Sequence, residues 1–286
     1  MAEKIVHAMK RLAQSKVGAN GQEIRLLSLA VLREIAQAHQ LTLREAELMA
    51  IDNRILPMRY ERSLGTVGWD GQAKLLRATV AVVGAGGLGG WIVEGLARMG
   101  VGHLIVIDAD VVEESNLNRQ LLATASVLGQ PKAKLAVARI AEVNEATEVI
   151  EHHAWADEGN LPQLLAGAAV AVDALDTLPA RLQLQRAAAA LGIPYVHGAI
   201  GGYAGQVMTV LPGDPGLFAL YGEEAVPQRG IETRWGNPAA TPMMVAAWQI
   251  QEVVKLIVGR GELLRHRLLL LDAESGTVDE IRIGGA

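Results

Sequence analysis

The stretch TVAVVGAGGLGG, residues 79–90, confines this chain to a narrow set of folds. An apolar run of β-branched residues enters a glycine cluster directly, so a buried strand must turn sharply into a helix. The spacing of Gly84, Gly86 and Gly89 fits the fingerprint G-x-G-x-x-G. Glycines there let the backbone approach a phosphate closely, and the helix N-terminus offers free N–H groups. Asp108 closes the next apolar run, HLIVID, where its carboxylate can accept hydrogen bonds from ribose hydroxyls. NAD, FAD and some ATP sites share this much, and the glycines do not choose among them.

From Thr79 onward apolar strands alternate with amphipathic helices, the pattern of a parallel sheet covered on both faces. The spacing predicts strands over 79–84, 103–108, 147–153, 169–173 and 194–200, with helices over 87–99, 131–143, 160–166 and 178–191. Strands over 204–211 and within 268–283 come after short turns and are expected to be antiparallel, and 241–259 reads as a long amphipathic helix. The expected fold is α/β, a Rossmann-like open sheet, mostly parallel, with antiparallel C-terminal strands. Residues 1–57 read as helices broken at Gly18 to Gly21 and near His39, with a capping box formed by Thr42 and Glu45. No strand signal precedes Pro57, which predicts a helical N-terminal arm (1–57) ahead of a nucleotide-binding domain (58–286).

Composition removes several functions. Aromatics are 3% of the chain and the net charge is -5, which supplies neither a stacking platform nor a general attraction for nucleic acid. No cysteine is present, which excludes disulfides, thiolate zinc sites and any acyl or sulfur group carried on a cysteine of this chain. The N-terminal residues carry charge through every turn, and no uncharged apolar run is long enough to span a bilayer. A soluble, cytoplasmic protein without a membrane partner is expected.

The residues after Asp108 bear on the choice of nucleotide. DADVVEESNLNRQ sets Asp110, Ser115, Asn116, Asn118, Arg119 and Gln120 just past the second strand, where ligands of open α/β sheets bind, and Lys132 heads the next helix. The glycine loop already serves the two-phosphate bridge of NAD, so additional cations on this edge suit a triphosphate. VDALD ends the fourth strand with Asp173 and Asp176 at the same edge, where a carboxylate can hold Mg²⁺.

In order and spacing, RYERS (59–63), DGQAKL (70–75), VVGAGGLGG (82–90), GVGHLIVIDAD (100–110), SNLNRQ (115–120), LGQPKA (128–133) and VDALDT (172–177) resemble the ThiF/MoeB/HesA family, bacterial relatives of ubiquitin-activating enzymes. The resemblance implies ATP-dependent adenylylation of a carboxylate, usually the C-terminal glycine of a small ubiquitin-like sulfur carrier with a Gly-Gly tail. It implies that Gly84, Gly86, Gly87, Gly89, Asp108, Asp110 and Ser115 line the ATP site and that Asn116, Arg119 and Lys132 bind the phosphates. Asp176 would ligate Mg²⁺, and Arg62 would reach the phosphates from the other subunit of a homodimer. Molybdopterin or tungstopterin synthesis is the first expectation for the pathway. Alternatives are adenylylation of a small-molecule carboxylate and a non-catalytic ATP-binding role. Many family members carry C-x-x-C pairs that bind zinc. GDPGLFALYGE (213–223) stands where the first pair would fall and has no such ligands, so no structural zinc is expected. Residues 212–240 correspond to the family's crossover segment, which contacts the substrate tail.

Overall fold

The computed structural model describes residues 2–18, 21, 23–222 and 232–283. Its strands are β1 (Gln14–Val17), β2 (Glu23–Leu27), β3 (Ile55–Pro57), β4 (Thr79–Val83), β5 (His103–Ile107), β6 (Glu148–His152), β7 (Val170–Asp173), β8 (Tyr195–Gly201), β9 (Ala204–Val210), β10 (Arg267–Asp272) and β11 (Thr277–Arg282). The last eight form one sheet in the order β11-β10-β9-β8-β7-β4-β5-β6. Pairing is parallel from β6 through β8 and antiparallel from β8 through β11. The chain leaves β4 toward β5 and β6, then returns to the other side of β4 with β7 and β8. That reversal opens a crevice at the carboxyl ends of β4 and β7, the position at which such sheets bind ligands.

Alternating residues of the central strands feed two cores. Val80 and Val82 of β4 pack with Leu96, Ile140 and Val253, under the helices Gly89–Met99, Lys132–Val143 and Ala240–Val258. Ala81 and Val83 face the other way, with Ile105 and Leu184, under Leu161–Leu164 and Leu178–Ala190. Burial on both faces explains the uninterrupted apolar runs. The helix Leu64–Arg77 lies in a stretch whose periodicity is weak. It holds Gly65, Gly68 and Gly71, and Gly68 breaks the helical backbone with φ 71°.

Residues 1–57 correct the expectation of a purely helical arm. The helices Ala2–Leu12, Leu29–His39 and Leu43–Asp52 are present. The capping box is too: Glu45 N–H donates to Thr42 Oγ1 at 3.1 Å, and Thr42 N–H donates to Glu45 Oε2 at 2.7 Å. A small sheet joins them, with β1 antiparallel to β2 and β2 parallel to β3. Its strands are short and β1 is exposed throughout, so no apolar alternation marks them; β3 exists through pairing with a distant β2. Ile5, Met9, Leu27, Leu32 and Ile55 form a core of this unit's own.

A buried polar joint connects the unit to the large sheet. The Tyr60 hydroxyl donates to Glu47 Oε2 at 2.8 Å and accepts from Asn144 Nδ2 at 3.0 Å. Arg59 pairs with Glu47 at 3.4 Å and hydrogen-bonds Asn144. Burial raises the Glu47 pKa from 4.5 to about 7, against the opposing charge of Arg59 and the Tyr60 bond. The folded state therefore holds a proton that the unfolded chain releases. Its contribution is complete below pH 4.5 and is lost as pH rises through about 7. Urea unfolding of wild type and Glu47→Gln across pH 4–8 should show their stability difference moving against wild type by up to ~3 kcal/mol in that window. A difference that does not change with pH would contradict this assignment.

Candidate functional site

The glycine loop fills the crevice at the end of β4. Gly84 has φ 99°, and a Cβ there would sit 2.5 Å from the Ala174 carbonyl oxygen. A Cβ on Gly89 would sit 1.9 Å from the Gly84 oxygen. Packing within the chain thus demands both glycines. Gly86 and Gly87 differ: the nearest atoms to their added Cβ positions are Gln120 Nε2 at 3.5 Å and Pro242 Cβ at 3.7 Å, with Arg119 Cδ at 3.9 Å from the second. The fold does not require them to lack side chains. Among the described residues their N–H groups also have no acceptor. Backbone that would accept a Cβ in ordinary contact, with free donors just ahead of the helix Gly89–Met99, makes this loop a candidate seat for an anion.

Asp108 clamps this loop to the end of β5. Its Oδ2 accepts the Ala85 N–H at 2.6 Å and its Oδ1 accepts the Asp110 N–H at 2.7 Å. Burial pushes its pKa above the ordinary carboxylate value, against the pull of these two bonds and of Lys132. Each oxygen keeps acceptor capacity for a ribose hydroxyl.

The two expected phosphate cations differ in charge balance. Lys132 is buried, with 7% of its side chain exposed, and its Nζ lies 2.8 Å from Asp110 Oδ2. Backbone bonds between 110–112 and 129–132 hold this pair together. Asp110 therefore acts on Lys132. Arg119 instead donates from Nη1 to two neutral oxygens, Ser115 O at 2.9 Å and Asn118 Oδ1 at 2.8 Å. Among the described residues it has no carboxylate partner, so its charge stands uncompensated beside Gly87.

Asn116 and Ser115 are occupied in building the turn. Asn116 Oδ1 accepts the Glu113 N–H at 3.1 Å, its Nδ2 donates to Ser115 Oγ at 3.4 Å, and its carbonyl accepts from Arg119 and Gln120 N–H. Asp176 is exposed just past β7, and no ion pair or hydrogen bond holds its side chain among the described residues. No group of three or more His, Cys, Asp or Glu could hold a metal among those residues. Asp176 follows Ala174, which touches Gly84, and a free carboxylate at that end of the sheet could hold Mg²⁺, which is commonly bound by one or two carboxylates and a substrate's phosphates.

Asp173 does not share that role. It is fully buried, and its carboxylate accepts from Tyr195 Oη at 2.7 Å, His197 Nδ1 at 2.8 Å and Leu175 N–H at 2.9 Å. Burial alone would raise its pKa, but the Arg181 charge and these bonds bring it below the usual value. Burial lowers the pKa of His197, and Gln206 Nε2 donates to its Nε2 at 3.2 Å. The imidazole is thus neutral, with its proton on Nδ1. Tyr195, Arg181 and His197 are not among the candidate site residues read from the sequence, nor are Pro242, which lies against Gly87, and Asn237, which is bonded to Asn118. Their separation along the chain conceals them.

Arg62 is exposed and stands apart. Nearby Tyr60 packs against Gly100, which precedes β5, on the amino-terminal side of the sheet. No hydrogen bond or ion pair joins Arg62 to the loop cluster of its own chain among the described residues. Residues 223–231 of the expected crossover segment lie outside the described residues. No helix among those described is long and apolar enough to cross a membrane.

Known proteins share both the sequence and the architecture of this chain. It is 39% identical over 226 residues to the SAMP-activating enzyme E1 of Haloferax volcanii, covering 78% of this chain and 84% of that one. It is 36% identical over 224 residues to the sulfur carrier protein adenylyltransferase of Thermus thermophilus, covering 75% and 83%. Adenylyltransferase and sulfurtransferase MOCS3 of Arabidopsis thaliana is 35% identical, with 79% of this chain spanning 50% of that protein. Escherichia coli MccB with ATP shares the fold at a TM-score of 0.70 and 21% identity, covering 85% of this chain and 79% of that one. PaaA does so at 0.68 and 20%, covering 96% and 100%. The ThiF family model matches residues 60–286, from the Tyr60 joint through the glycine loop to the last strand, and the chain belongs to the ThiF family.

Proposed function

We propose that the carboxylate activated by this adenylyltransferase is the C-terminal glycine of a small ubiquitin-like sulfur carrier, with ATP as adenylyl donor. The observation that carries the reading is Arg119, which has no carboxylate partner among the described residues and whose methylenes lie against Gly87, next to the free N–H groups of Gly86 and Gly87. Relatives named as activating SAMP or adenylylating a sulfur carrier support the substrate class.

A carboxylate oxygen of the carrier attacks the α-phosphorus, and the bond to pyrophosphate breaks. The substrate is its own nucleophile, so the protein's task is alignment and charge neutralisation. Gly86 and Gly87 N–H groups and Arg119 receive phosphate oxygens, Asp108 receives the ribose, and Lys132 exchanges Asp110 for phosphate. Asp176 would hold Mg²⁺, which supplies further neutralisation of the phosphates. Arg62 acts from a second copy of the chain, a reading supported by the absence, among the described residues, of any bond from Arg62 to its own loop cluster and by its neighbour Tyr60 packing at the amino-terminal side of the sheet. With no cysteine present, this chain's chemistry ends at the acyl adenylate, and another protein delivers sulfur. Synthesis of a sulfur-bearing pterin such as molybdopterin or tungstopterin is the proposed setting.

ATP–pyrophosphate exchange with Mg²⁺ should require a carrier bearing an intact Gly-Gly tail and disappear when its last glycine is removed. Exchange with no carrier, driven by a small carboxylic acid instead, would replace the proposed substrate. Arg119→Ala and Lys132→Ala should each lower the exchange rate by about 10²–10³-fold without unfolding the protein; wild-type rates in both would end the assignment. Gly87→Ala should fold normally and bind ATP more weakly, whereas Gly89→Ala should lose about 3 kcal/mol of stability to overpacking. Equal stability of the two variants, measured by denaturant, would refute that division.

A further inference from the structure

Asn118 touches two walls of the nucleotide site at once. Its Oδ1 accepts from Arg119 Nη1 at 2.8 Å, and its Nδ2 donates to the Asn237 carbonyl at 3.1 Å. Asn237 sits on fixed backbone: Gly202 N–H donates to Gly236 O at 2.8 Å, and Thr241 Oγ1 donates to Gly202 O at 2.7 Å. The helix Ala240–Val258 begins shortly afterwards and carries Pro242 to the glycine loop. Gly87 therefore lies between Pro242 and the methylenes of Arg119, with Cβ-position distances of 3.7 and 3.9 Å. Asn118 is the strut between those two walls.

We propose that Asn118 is a positioning residue for ATP, holding the Arg119 side chain against Gly87 with its guanidinium oriented before the nucleotide arrives. The inference rests on the reading that Arg119 binds phosphate. Both of Arg119's bonds leave from Nη1, so Nη2 and Nε have no acceptor among the described residues. Those are donors with which a guanidinium can grip two oxygens of an anion. A free arginine must lose many rotamers to do so, and a preset one has already lost them. The residue type matters too. An amide oxygen orients the guanidinium without neutralising it, whereas a carboxylate there would compete with phosphate for the same charge.

The test is ATP affinity by calorimetry, on the full chain with Mg²⁺ and no carrier. Asn118→Ala should bind ATP about tenfold more weakly than wild type, as expected for losing one hydrogen bond to a charged group. Asn118→Asp should be weaker than Asn118→Ala. In an Arg119→Ala background, Asn118→Ala should add no further loss, and thermal unfolding should place all variants near wild type. Wild-type affinity in Asn118→Ala, tighter binding by Asp than by Ala, or a full tenfold loss persisting without Arg119 would each overturn the proposal. Undiminished affinity in Arg119→Ala alone would remove the phosphate reading on which it stands.

Discussion

The close approach of Gly84, Gly89 and Ala174 is the constraint on which the site depends. Three backbone segments, the end of β4, the start of its helix and the turn after β7, meet with no room for a side chain at either glycine. That contact sets the helix N-terminus against the sheet at the point where strand order reverses. It also fixes the turn that leads to Asp176. Asp108 then secures the same loop from the β5 side through the Ala85 N–H. Backbone packing and a half-buried carboxylate define the cradle, and the residues free to meet a ligand project from a frame that is already built.

Much of this was legible in the residues because strands buried on both faces leave continuous apolar runs, and each run from β4 onward stands within a few residues of its expected place. The loop cluster was legible for a related reason: Asp108, Asp110, Arg119 and Lys132 all lie just past strand ends or head a helix. What stayed hidden depends on pairing at a distance. β1, β2 and β3 are too short to show alternation, β1 being exposed throughout and β3 wholly buried. The Glu47–Tyr60–Asn144 joint unites residues scattered over almost a hundred positions. Asp173 illustrates a different limit. Its position at a strand end suits a metal, and only the fold reveals that Tyr195 and His197 hold it in the interior.

The RYERS segment divides its work between stability and display. Arg59 and Tyr60 are drawn into the joint between the N-terminal unit and the large sheet, while Arg62 is left in solvent. A motif that reads as one functional signature is thus part anchor and part exposed group. Burial of the anchor raises the pKa of Glu47, so this connection responds to pH although it lies away from the crevice.

The pairing of Lys132 with Asp110 bears on which anions the crevice retains. A small monovalent ion that displaced the carboxylate would trade one single charge for another and forfeit a short bond already aligned. A polyphosphate, if bound as proposed, would bring several oxygens to Arg119 and the glycine N–H groups together, and its competition with Asp110 would be multivalent. Under the proposed function, the resident carboxylate would act as a built-in competitor that a nucleotide triphosphate is better equipped to displace than a singly charged ion.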